Sequence, residues 1–223
     1  MRLMPSRPRL NRSLRQGAIR SASLACAAVA VVTGCAHPST PAKPSPAPGI
    51  DDMIVSVQDV RRIAKADDLS PHAEADLHKP APADANAPAP CQPVGHNDLT
   101  FGGGWSEFRS AGYHGVTDDI QPGGNSMVNG VNQAVARYPT QEAALKAFSH
   151  LETALRTCND LHDPNYQFTL DKPDSSTLRI TADQWSHLYR TKSAMLVSVG
   201  AVGLESAGQI AGTVLNMISD RIR

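Results

Sequence analysis

The sequence predicts an α+β domain, an antiparallel β-sheet packed against helices. Three observations carry this. Four β-prone segments follow one another over residues 166–202 with only short turns between them, a spacing that implies antiparallel neighbours. Two segments, beginning at Thr140 and Glu205, carry apolar residues at helical spacing. The order reads helix, strands, helix, strands, helix, so the helices are segregated from the strands rather than alternating with them.

Taken in chain order, Ser56 and Asp59 have the spacing of a capping box, and Val57, Val60 and Ile63 or Ala64 recur at helical intervals, predicting a helix over 57–66. A Pro/Ala-rich stretch over 80–93 follows. It is long for a loop inside a compact domain, and Cys91 near its end would pin it. Over 99–117, Phe101, Trp105, Phe108, Tyr113 and Val116 are punctuated by glycines, the composition of strands and turns, and Gln121-Pro-Gly-Gly-Asn125 reads as a turn. Met127, Val131 and Val135 share one face of a strand over 127–138. Pro139-Thr140 ends it, and Thr140 caps a helix on which Leu145, Phe148, Leu151 and Leu155 form an apolar stripe continuing to Cys158. Strands over 166–170, 177–182, 185–191 and 194–202 lead to a closing helix over 205–222, with Ile210, Val214, Met217, Ile218 and Ile222 inward.

The N-terminus is built like a signal peptide. Six arginines (2, 7, 9, 12, 15 and 20) precede an apolar run over 22–32, shorter than the ~17–25 residues a spanning helix needs. Val32-Thr33-Gly34-Cys35 then fits the bacterial lipobox, a hydrophobic residue, two small ones and a cysteine. On that reading residues 1–34 are removed and Cys35 becomes a diacylated anchor, each buried CH2 contributing ~0.8 kcal/mol. The alternative is an ordinary secreted protein with a chance cysteine at the boundary. Residues 35–50, with prolines at 38, 41, 44, 46 and 48, form an extended spacer, and the folded domain spans 51–223.

All 21 acidic residues lie after Gly34, whereas six of the 21 Lys and Arg lie before it, so the mature chain is acidic. Such a body lacks the cationic surface from which nucleic-acid binding takes most of its affinity, and nucleic acid is excluded as a partner. Of four cysteines, Cys26 falls in the signal and Cys35 in the lipobox, leaving Cys91 and Cys158 as an isolated pair in an oxidising compartment, where a disulfide is the default. Two free thiols or a redox pair is the alternative, but there is no Cys-x-x-Cys to depress a thiol pKa.

Catalytic and metal signatures are missing from the sequence. His72, Glu74, Asp76 and His78 crowd one segment, and His162 lies beside Asp160 and Asp163, yet neither has a metal-ligand spacing of known mechanism, and both read as solvated polar segments. His114 and His187 are single and read as structural. There is no Gly-x-Ser-x-Gly elbow, Gly102-Gly-Gly104 lacks the Lys-Ser/Thr of a phosphate loop, and the pairs Asp51-Asp52, Asp67-Asp68 and Asp118-Asp119 are mere sequence neighbours. No cofactor is indicated. Trp105, Tyr113, Trp185 and Tyr189 are the candidate ligand-binding residues: amphipathic rings on strands can line a cleft for a lipid or glycan, with core packing as the alternative.

Taken together, these elements resemble those of a family. A cysteine after a Pro-rich loop, the strand and helix Val131-Asn-Gln-Ala-Val-Ala-Arg-Tyr-Pro-Thr-Gln-Glu-Ala-Ala-Leu-Lys-Ala-Phe148, a second cysteine closing that helix, and late strands leading into an Ala/Ile-rich terminal helix resemble the PknH-like extracellular sensor domain. That domain ends a mycobacterial transmembrane Ser/Thr kinase and recurs without the kinase in lipoproteins. The resemblance covers roughly residues 54–223. It implies a sandwich-like domain with a V-shaped cleft for an extracellular ligand of unknown identity, and it implies the Cys91–Cys158 pairing. Two departures stand out: the family's second disulfide has no cysteines here, Ser186 and His187 standing in that region, and Leu155 replaces a Trp common before the helix-end cysteine.

The resulting expectation is a non-catalytic cell-envelope lipoprotein, anchored to the membrane through the lipid on Cys35 and binding a small-molecule, lipid, glycan or protein partner outside it. A carrier of envelope lipids or glycolipids and an envelope hydrolase using carboxylates or His187 are the rival readings.

Overall fold

The computed structural model describes residues 48–116 and 128–223; Cys35, the lipobox, most of the spacer, the 121–125 turn and Met127 lie outside the described residues. Seven strands form one open sheet: β1 Ser70–Leu77, β2 Glu107–Val116, β3 Val128–Arg137, β4 Thr169–Asp174, β5 Thr177–Ala182, β6 Trp185–Lys192 and β7 Met195–Val202. Their order across the sheet is β1-β2-β3-β7-β6-β5-β4, and every neighbouring pair is antiparallel. The helices are α1 Val57–Ala64, α2 Asp98–Phe101, α3 Gln141–Asp160 and α4 Ala207–Arg221. The expected α+β class and antiparallel sheet are therefore present, with helices on both faces.

Two cores result. On one face α1 and α4 pack against Tyr113, Val131, Val135, Val197, Val199 and Ala201. On the other, α2 and α3 pack against Phe108, Ala134, Ala136, Leu178, Ile180, Tyr189 and Leu196. The period-2 alternation of strand side chains divides each strand between the cores, and Val131 and Val135 fall on one face as their spacing predicts. β7 lies at the centre of the sheet with both faces covered, which is why it is a continuous apolar and small-residue run with seven of its eight residues buried.

Several boundaries differ for local reasons. α1 stops at Ala64 because Lys65 adopts a left-handed conformation (φ 53°), while Ser56 caps its start by accepting from the Asp59 N–H. The 99–117 segment is divided: Asn97 accepts from the N–H groups of Leu99 and Thr100 and nucleates the short α2 ahead of β2. Thr140 caps α3 as expected, but the buried stripe is Ala144, Phe148, Leu151, Leu155 and Cys158; Leu145 is turned outward, 42% exposed. On α4, Ala211 and Leu215 are buried, whereas Met217 is half-buried. Most of the polar 72–78 segment lies in β1 and stays largely exposed to solvent. β1 is an edge strand, polar on both faces, with Pro71 tolerated at the edge and Asp76 ion-paired to Arg109.

Two ties hold the periphery. Cys91 and Cys158 are joined in a disulfide spanning 67 residues, fastening the 80–97 loop to the end of α3. At the N-terminal edge Gln133, fully buried on β3, accepts from Val55 N–H and donates to Val55 C=O, both at 2.8 Å. Tyr113 Oη donates to the same carbonyl at 2.8 Å.

Candidate functional site

The α3 face of the sheet is only partly covered by α3. Beyond it, strand register sets up a row across five adjacent strands: His72 opposite Gly112, Gly112 opposite Asn132, Asn132 opposite Gly200, and Gly200 opposite His187. Polar side chains therefore alternate with glycines, and Asn132 and His187 lie over the bare backbone beside them. Asn132 Oδ1 occupies the place of a Cβ on Gly112, and His187 Nδ1 would be 2.6 Å from a Cβ on Gly200. In the neighbouring row His114 covers Gly130 in the same way, its Cδ2 2.7 Å from where a Cβ would stand. No bulkier residue fits at these glycines while the rings stay flat on the sheet.

The 80–97 loop forms the roof. Gly95 N–H donates to Tyr189 Oη at 2.9 Å, and Ser198 Oγ donates to Gly95 C=O at 3.3 Å. Asn97 Nδ2 donates to Gln92 C=O, and Thr100 Oγ1 to Pro93 C=O. These bonds, with the disulfide, hold His96 above His187, ring centroids 6.0 Å apart, and His187 stacks on Tyr189 at 4.6 Å. Two adjoining cavities of about 260 and 150 Å³ open under the roof and share His96 and Asn132. The first is bounded by His72 and His114, whose rings lie 4.4 Å apart, and the second by Trp185 and His187.

The two buried imidazoles, His96 and His187, favour the neutral form. Burial pushes the His187 pKa well below the ordinary histidine range, with His96 adding a smaller coulombic push. Burial also lowers His96, followed by the charge of His114. Burial raises the Tyr189 phenol, so it stays protonated. His187 Nε2 lies 2.7 Å from Ser198 Oγ, which is also 3.3 Å from Gly95 C=O. His96 Nδ1 is buried with no hydrogen-bond partner, an orphan polar atom at the junction of the two cavities. His114 Nε2 lies 3.1 Å from Asn132 Oδ1. The site thus offers aromatic walls and polar donors and acceptors, with Glu74 among the residues lining the first cavity. The Ser198–His187 pair does not make a nucleophile: Ser198 is fully buried beneath Gly95, and His187 Nδ1 faces Gly200 rather than a carboxylate.

A buried neutral histidine has a consequence for stability. Below about pH 6.5 the unfolded chain binds a proton at residue 187 that the folded chain refuses, so stability falls as pH falls toward the depressed folded value. The thermal midpoint is expected to drop between about pH 7 and pH 5, above the range where carboxylates titrate. His187→Gln should shrink that drop to the part due to His96; an equal drop in the variant would rule out His187 as a source.

Of the four candidate aromatics, Trp185 lines the second cavity, whereas Tyr189 is fully buried in the α3-side core with its Oη accepting from Gly95 N–H. Trp105 packs on Phe108 (5.9 Å) at the far end of the α3 core, and Tyr113 lies on the opposite face, bonded to Val55. His162 bonds the Asp160 carbonyl at the end of α3, and Asp51 pairs with Arg109 at 2.8 Å. Among the described residues no cluster of three or more His, Cys, Asp or Glu could hold a metal. His96 and Asn132 escape a sequence reading because loop placement and cross-strand register bring them in. The local signal was available only for the glycines, which interrupt three otherwise β-prone runs.

The model of the PknH-like extracellular domain family matches residues 45–221. Among solved structures the chain is similar to the crystal structure of the extracellular domain of PknH from Mycobacterium tuberculosis. The TM-score is 0.58 at 18% identity, covering 77% of this chain and 93% of that one, a likeness of fold. No curated protein sequence matches.

Proposed function

Because this chain belongs to the PknH-like extracellular domain family, we propose that it is a non-catalytic binding protein of the cell envelope, anchored by a lipid on Cys35, whose roofed groove takes a small polar ligand. Residues 1–34 serve as the signal, 35–50 as the spacer and 51–223 as the binding domain. The Cys91–Cys158 disulfide suits the oxidising side of a membrane, and no helix among the described residues is long and apolar enough to cross one.

The observation that carries the reading is His96, a residue that lines both cavities and whose Nδ1 is buried without a hydrogen-bond partner. Burying such a nitrogen without a partner costs about 1–3 kcal/mol, a cost that a hydrogen-bonding ligand removes. The same geometry weighs against the rivals. Neither cavity offers the apolar volume an acyl chain needs, and the Ser198–His187 pair is closed to substrate.

Cys35→Ser is expected to move the protein from the membrane to the soluble fraction. Native mass spectrometry of that form, before and after denaturation, should show a bound polar molecule of small mass. His96→Ala combined with Asn132→Ala should abolish it. A co-purifying acyl lipid would overturn the reading in favour of a carrier, and retention of the molecule by the double variant would move the site elsewhere.

A further inference from the structure

The opposite face of the sheet carries a larger, open cleft of about 750 Å³, between the end of α1, the start of α4 and the ends of β3 and β7. This is within the ~300–1,000 Å³ of small-molecule sites. At its base Asn129 is paired with Gly115 in the sheet and is only 8% exposed, yet its Oδ1 has no hydrogen-bond partner. Asp68, on the turn after α1, brings Oδ2 over the same glycine, so that both oxygens stand where a Cβ on Gly115 would be. Two acceptors, one of them charged, converge with no donor between them among the described residues. Such an arrangement is repulsive until something with N–H or O–H protons and positive charge sits at the spot.

The surroundings narrow the choice. Asp67 and Glu205 add negative charge around the cleft, and Lys65 is the one cation among its described lining residues. A hard dication takes six or more oxygens, more than this base presents. Ser206, Gln209 and Thr213 are exposed along the α4 wall and suit hydroxyl groups, and Ser206 makes no side-chain cap. Leu204 and Ile210 give an apolar floor.

We infer that this cleft is a second binding site, for a ligand carrying a protonated amine on a hydroxyl-rich body, with the amine seated between Asp68 and Asn129. The site stands apart from the histidine groove and does not depend on it.

The test is an amide-resolved NMR titration of the Cys35→Ser protein with D-glucamine and with sorbitol, which differ only in the amine. Glucamine is expected to move the Gly115, Asn129 and Ala207 signals and leave His96 and Gly200 in place, with sorbitol weaker by about tenfold or more. Asp68→Asn puts an amide N–H beside Asn129 Oδ1, satisfying it internally. That variant should lose glucamine binding by about tenfold or more while its thermal midpoint holds or rises. Equal response to the two polyols would overturn the inference, as would unchanged binding by Asp68→Asn. No response to glucamine would do the same, leaving water alone as the bridge.

Discussion

Replacing Cys91 and Cys158 together by alanine is expected to lower the unfolding free energy by about 4 kcal/mol, the chain-entropy value for a closed loop of this length. The bridge spans 67 residues, enclosing α2, β2, β3 and most of α3. Both cysteines are buried, 1% and 0% exposed, so alanine is the informative replacement; serine would add two hydroxyls with no solvent to receive them. The loss has a local part as well. Without the bridge the 80–97 loop keeps the bond from Gly95 N–H to Tyr189 and the bond from Ser198 to Gly95 C=O but loses its covalent tie to α3. His96 should become accessible, and ligand binding in the groove should weaken more than fold stability alone explains. Urea titrations of the oxidised protein and the double variant give the stability change, and hydrogen exchange at Gly95 gives the local one. A stability loss below about 1 kcal/mol would show that the unfolded chain is already compact around these residues.

Gln133→Leu is expected to cost about 2–4 kcal/mol although it replaces a buried polar side chain by an apolar one of similar size. The glutamine closes a two-bond ring with the backbone of Val55, and leucine leaves the Val55 N–H without a partner away from water. More is at stake than one donor. Ile50, Met53 and Val55 are all buried, and Arg221 on α4 reaches back to the carbonyls of Asp52, Met53 and Ile54. Loosening Val55 therefore loosens the segment that seals the α1–α4 core. Tyr113→Phe is the built-in control. It removes one of two donors to the Val55 carbonyl and should cost about 1 kcal/mol, since Gln133 still satisfies that group. Equal costs for the two substitutions would show that the carbonyl, not the N–H, dominates.

Much of the architecture was legible because local rules and tertiary packing agree. Thr140 reads as a cap, Val131 and Val135 as one face, and 177–182 as a strand because backbone preference and burial point the same way there. The pairing of Cys91 with Cys158 followed from elimination. β1 was illegible for a physical reason: it buries almost nothing, so its only strand credential is backbone pairing to β2, which has no side-chain signature. Leu145 misled because alanine can fill a helix–sheet contact that a leucine would overfill. Gln133 did leave a trace, as a polar residue between two inward valines. The groove left least, since a row running His72, Gly112, Asn132, Gly200 and His187 draws on five strands and exists only once their registers are set.

The place of β7 has a further consequence for how the molecule assembles. β1, β2 and β3 follow one another across the sheet, and so do β4, β5, β6 and β7, in reverse direction. The sheet is thus two runs of sequential strands, each paired over shorter sequence separations than the join between them, and they meet along a single seam where residues Gly130 to Arg137 pair with Val202 to Met195. Until the final strand is available, the inner edge of β3 has no partner and its ladder groups are open to any other strand. Zipping that seam requires the longest-range strand pairing of the sheet, which makes it the natural slow step. A chain delivered across a membrane from its N-terminus would therefore hold its first run of strands half-finished until almost its last residue had arrived.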